Sequence, residues 1–185
     1  VNQAEMSEFD SSTMDELVGR LRSRHAKYNA FWPELPLDQM LLLRGGMPLD
    51  VASLRTNWIT ELLIHGRDLS LAVGEQWPLD NTSSLLALRL LANVLPTYGR
   101  AVGLDDYTMV VVGEGASPFS ISVKDGGVEV HAGDTESADR LTGPPDVLVL
   151  LFYGRIGLAE ALTSGARIIG DADRVKALLD RQKKP

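Results

Sequence analysis

The segment "NWITELLIHGRDLS", residues 57–70, sets Glu61 and His65 four residues apart, with Asp68 three further on. A four-residue step on an α-helix returns a side chain to nearly the same face, so carboxylate and imidazole become neighbours. The segment lies in a predicted helix from about Val51 to Val73, with Asp50 as its N-cap and Gly74 as its stop. On that helix Leu54, Trp58, Leu62, His65, Leu69 and Ala72 share one sector, expected to be the buried face, and Glu61 and Asp68 lie at its rim. A carboxylate there must be paired or bound to an ion, because burying a lone charge is costly. Two readings of the pair stay open. A hydrogen bond between Glu61 and His65 needs nothing further, whereas a divalent metal would take neutral imidazole and ionised carboxylate as ligands converging on one point. His25, in the middle of an earlier apolar stripe, could reach the same core and reads as a buried histidine bonded to a backbone group. His131, at a strand end, reads as a surface residue.

The elements that must position these groups follow from hydrophobic periodicity. Met14, Leu17, Val18, Leu21, His25, Tyr28 and Trp32 recur at three- and four-residue steps, which predicts a helix from about Ser11 to Trp32 with that stripe buried. Ser11, Ser12 or Thr13 is the candidate cap, and "WPELP" ends the helix. "RGGMPLD" reads as a loop. A third helix, "SSLLALRLLANVLPTYGRAVG", should kink or end at Pro96. After Gly103 the period drops to 2: "YTMVVVG", "PFSISVK" and "GVEVHAG" read as strands, with Ser120 and Ser122 on a wet face and "KDGG" as a hairpin turn. "PPDVLVLLFYGR" reads as a buried helix, and "GARIIGDADRVKALLDRQ" as a strand, a turn and a helix capped by Asp171. The chain is therefore expected to divide near residue 103 into a helical part and an α+β part with an antiparallel sheet.

The composition narrows the possible functions. A formal net charge of -7 over 185 residues argues against nucleic acid, since the only basic cluster is the C-terminal "RVKALLDRQKKP". The absence of cysteine removes disulfides, thiolate nucleophiles and Cys-ligated zinc, and is compatible with a reducing cytoplasm. Apolar runs fall short of the ~20 residues needed to span a membrane, and no signal segment opens the chain, which predicts a soluble protein.

Through "TELLIHGRDLSLAVG", "LTGPPDVLVLLFYGR" and "GDADRVKALL", the chain resembles the mycothiol-dependent maleylpyruvate isomerase family. That resemblance implies a DinB-like metal-binding helical bundle over residues 1–102 and a domain like sterol carrier protein 2 over residues 103–185. It implies Glu61 and His65 as ligands of a divalent metal, usually zinc, with mycothiol as the thiol cosubstrate of an isomerase or S-transferase acting on a small molecule such as a dicarboxylate. Metal coordination lowers the pKa of a bound thiol, and the thiolate then attacks the substrate. An arginine of the second part would hold the substrate carboxylates, with Arg155 the first candidate and Arg167 the second. A bundle of this kind has four long helices and takes a third ligand from a histidine on its second helix. The resemblance therefore places the first helices before Val1 or leaves the site broken, with His25 a weak substitute. The alternative is a non-catalytic module whose α+β part binds a small molecule or lipid and whose helical part forms a homodimer.

Overall fold

The computed structural model describes residues 13–42, 48–99, 101–137 and 139–182. Helix α1 runs over Met14–Phe31. Thr13 caps it through a reciprocal box: its hydroxyl accepts from the Glu16 amide at 3.3 Å, and the Glu16 carboxylate accepts from the Thr13 amide at 2.8 Å. A 3-10 turn over Trp32–Glu34 ends the helix. Strands β1 (Met40–Leu42) and β2 (Pro48–Asp50) then pair antiparallel, Met40 opposite Asp50 and Leu42 opposite Pro48. This corrects the expectation that everything before residue 102 is helical or loop. Strands of three residues are too short to show a period, and Leu49 alone carries their inward face.

Helix α2 (Val51–Ala72) starts where predicted, with the Asp50 carboxylate accepting from the Ser53 amide at 2.6 Å. Gly74 takes the left-handed φ of 75° that closes it. Helix α3 (Asn81–Tyr98) is capped by Asp80, and Pro96 falls in its last turn, two residues before its end.

The second part is a five-stranded sheet in the order β5-β4-β3-β6-β7, formed by β3 (Tyr107–Gly113), β4 (Phe119–Lys124), β5 (Gly127–Ala132), β6 (Asp139–Gly143) and β7 (Arg167–Ile169). The β4–β5 hairpin turns through Asp125 (φ 51°) and Gly126 (φ 75°), the two positive values of a type I′ turn. The sheet is mixed rather than antiparallel: β3 and β6 run parallel, Met109 opposite Asp139 and Gly113 opposite Gly143. The polar "DRLTG" of β6 shows no alternation, so the sequence reading missed the strand and with it the crossover. Ser120 is also not on a wet face; it is fully buried, while the Ser122 hydroxyl pairs with that of Thr108 at 2.9 Å.

Helix α4 (Pro145–Phe152) is buried along almost its whole length, as its uniform apolarity requires. It is followed by the short α5 (Leu158–Thr163) and by α6 (Ala172–Gln182). The Asp171 carboxylate caps α6, accepting from the amides of Asp173 and Arg174. One core runs from Leu63 and Ile64 of α2 through Leu88 and Leu91 of α3 to Met109, Val111, Leu141, Leu148 and Leu179. It crosses the sequence boundary near residue 103 because α3 packs against α2 on one side and against α4 and β5 on the other.

That packing reverses the expected face of α2. Thr60, Leu63, Ile64 and Ser70 turn inward, while Leu62 is 46 % and Leu69 70 % exposed. "ELLIH" is apolar on consecutive positions, so its pattern admits two inward faces, and α3 selects the one bearing Leu63 and Ile64. The stripe of α1 is likewise open, with Met14 73 % and Leu21 57 % exposed; Trp32, just past its end, is buried.

Candidate functional site

Glu61, His65 and Asp68 line up along the exposed side of α2. The Glu61 Oε2 lies 3.1 Å from His65 Nε2, and the Asp68 Oδ2 lies 3.4 Å from His65 Nδ1, so both ring nitrogens face carboxylates. The fourth member arrives from the other half of the chain. At the end of α4 the Arg155 amide donates to the Leu150 carbonyl and the Gly154 amide to the Leu151 carbonyl, with Gly154 at φ 68°. This is the glycine-closed helix ending known as the Schellman motif, and it turns residue 155 out of the core toward α2. The Arg155 Nε lies 3.1 Å from both Asp68 oxygens, its Nη2 donates to Asp68 Oδ2 at 2.7 Å, and its Nη1 donates to the Tyr153 carbonyl at 2.8 Å.

The electrostatics follow from this chain of contacts. Hydrogen bonds from Arg155 hold the Asp68 carboxyl below its ordinary range, with the charges of Arg155 and His65 acting in the same direction. Burial, and then the charge of Glu61, push the Tyr153 hydroxyl up to about 12. The Trp77 ring packs against Gly66, where an added Cβ would lie 2.7 Å from the indole.

The structure thus brings Glu61, His65 and Arg155 into one row, joined by Asp68. The guanidinium is already engaged by Asp68 and by a carbonyl, so its immediate role is to position Asp68. Arg167 lies elsewhere, on β7, in a separate cleft of about 410 Å³ with Glu114 and Thr142. His25 is exposed on α1 and bonds Asn29 at 2.9 Å, and His131 is exposed beside Glu129 at 3.5 Å. Among the described residues no group of three His, Cys, Asp or Glu side chains is arranged to hold a metal. No described helix is long and apolar enough to cross a membrane.

A further concavity has no counterpart in the sequence patterns. A cleft of about 700 Å³ opens between α3 and the sheet, walled by Leu85, Leu88, Ala92, Phe119 and Val130, with Arg89 at its edge. The sequence reading used α3 only as an apolar helix; Arg89 within "LLALRLLANV" was the available signal of a face that is not wholly packed.

No family model and no curated protein matches the chain. Among solved structures, half of this chain is similar to 16% of the sec-alkylsulfatase Pisa1 from Pseudomonas sp., at 15% identity and a TM-score of 0.45. The ubiquinone synthesis protein UbiJ-SCP2 is similar over 52% of this chain and 93% of its own, at 14% identity and a TM-score of 0.43. The apo form of sterol carrier protein 2 from Yarrowia lipolytica is similar over 78% of this chain and 98% of its own, at 12% identity and a TM-score of 0.32. Likenesses at these scores assign neither an activity nor a site to this chain.

Proposed function

We propose that this protein binds a small, mainly apolar molecule with an anionic end in the cleft between α3 and the sheet. The observation that carries the reading is the cleft itself. Its volume of about 700 Å³ falls in the size range of small-molecule sites, and its wall is apolar with few polar groups. Arg89 is exposed at its edge and has no ion-pair partner among the described residues, so it is available to a carboxylate. The open apolar residues of α1 and α2 support the companion idea that two copies associate through the helical part. The test is displacement of a fluorescent fatty-acid analogue. Saturable binding is expected, Ala92→Trp should abolish it by filling the cleft, and Arg89→Gln should weaken the acid about 10-fold while leaving a neutral ester unchanged. Absence of saturable binding, or full binding by Ala92→Trp, overturns the proposal.

A second reading, the metal-dependent thiol enzyme, is favoured by one observation. With Asp68 facing Nδ1 of His65 and Arg155 holding Asp68, Nε2 and the Glu61 carboxylate form a two-donor set with the orienting shell that metal histidines use. Those two donors fit a divalent ion such as zinc, and the remaining ligands would have to come from outside the described residues. Such an ion would supply a lowered pKa to a bound thiol such as that of mycothiol. Elemental analysis decides this reading: stoichiometric zinc lost in both Glu61→Ala and His65→Ala supports it, and no bound metal in the full-length protein removes it.

A further inference from the structure

Where the end of α1 meets the start of α2, a separate cleft of about 400 Å³ is lined by Tyr28, Asn29, Trp32, Arg55, Trp58 and Ile59. Its walls are aromatic and interlocked. The Tyr28 ring lies 4.5 Å from that of Trp32, edge to face, and 4.7 Å from that of Trp58, while the Arg55 guanidinium sits 5.7 Å from the Trp32 ring. The polar groups here are mostly donors. Trp32 Nε1, Trp58 Nε1 and Arg55 Nε are buried without an acceptor among the described residues, and Trp32 is only 7 % exposed. Arg55 donates from Nη2 to the Trp32 carbonyl and meets no carboxylate among the described residues.

Buried donors without acceptors are costly, and a cation beside an indole with no counter-charge among the described residues is an electrostatic vacancy. An occupant that satisfies both conditions brings oxygen acceptors and a negative charge, and one that lies against aromatic walls is flat and apolar. We propose that this cleft is a binding site for a flat, ring-bearing carboxylate, with Arg55 holding the carboxylate and the ring packing against the aromatic wall that Tyr28 and Trp58 form together. The half-buried Trp58 turns on entry, so that its N–H reaches the acceptor. The site is distinct from the cleft beneath α3 and does not depend on it, since the two share no lining residue.

The probe is benzoate, added to the full chain while the indole N–H resonances are followed by two-dimensional NMR. The chain has three tryptophans, and single Trp→Phe variants assign the signals. Benzoate is expected to shift the signals of Trp32 and Trp58 saturably and to leave that of Trp77 in place. Benzyl alcohol, which keeps the ring and loses the charge, should bind at least 10-fold more weakly, and so should acetate, which keeps the charge and loses the ring. Arg55→Gln should weaken benzoate at least 10-fold without changing the position of the Trp77 signal, which reports an intact fold. Arg55→Lys should recover only part of the affinity, because an ammonium lacks the planar fork. The proposal is overturned if the Trp32 and Trp58 signals do not move with millimolar benzoate, if benzyl alcohol matches benzoate, or if Arg55→Gln binds as the wild type does. The two ligand comparisons need only the unaltered protein, so a variant that fails to fold leaves the test intact.

Discussion

Replacing Arg155 by lysine should weaken the tie between α2 and the end of α4 while keeping the charge. The guanidinium makes three contacts of 2.7–3.1 Å with Asp68 and a fourth of 2.8 Å with the Tyr153 carbonyl. A lysine ammonium can keep one or two of these, since it has no fork. Hydrogen bonds to charged groups contribute about 1.5–3 kcal/mol when buried. The side chains of Asp68 and Arg155 are 36% and 29% exposed, and solvent screening brings the expected loss to about 1–2 kcal/mol. For a chain of this size that corresponds to a fall in Tm of about 2–8 °C. The assay is thermal and urea unfolding of Arg155→Lys, Asp68→Asn and the double variant. If the two side chains hold each other, the double variant loses less than the sum of the singles, by about 1 kcal/mol. Additivity within about 0.5 kcal/mol refutes the argument. Acid gives an independent check on the sign. Asp68 titrates below its ordinary value in the folded protein, so its contribution is complete above the unfolded pKa and is lost as pH falls through the lowered folded value. The stability gap between wild type and Asp68→Asn should therefore be full at pH 6 and close below about pH 4. A gap that persists unchanged at low pH would mean that something other than the ion pair is being removed.

Two further outcomes follow from particular contacts. A Cβ on Gly143 would lie 2.9 Å from the Ala166 Cα, so Gly143→Ala must part β6 from the chain entering β7; a loss of about 1–3 kcal/mol in urea unfolding is expected. Tyr153, with its hydroxyl pushed up to about 12, should remain protonated when ordinary tyrosines have ionised. Its contribution is complete below the unfolded value of about 10 and is lost as pH rises toward 12, so Tyr153→Phe should remove part of the alkaline loss of stability and a late step in absorbance at 295 nm, while the step of Tyr107, which burial pushes up further, remains.

Much of this protein is decided by residues acting over one or two turns of chain. Asp50 and Gly74 bound α2, Asp171 caps α6, and Asp125-Gly126 closes the β4–β5 hairpin, because each of these effects is a local backbone hydrogen bond or a local φ. The adjacency of Glu61 and His65 is likewise a property of helical pitch alone. What required tertiary structure was every choice between faces and every contact across sequence distance. Leu62, Leu63 and Ile64 are equally apolar, and only the packing of α3 determined that Leu63 and Ile64 turn inward and Leu62 outward, which places Glu61 and His65 on an open surface. The parallel pairing of β3 with β6 depends on a crossover that leaves no periodic mark in "DRLTG". The meeting of Asp68 with Arg155 joins residues 87 positions apart, and the clefts beneath α3 and beside Trp32 are spaces between elements. A linear pattern specifies which side chains share an element; the shape of the space left between elements depends on how all of them pack at once.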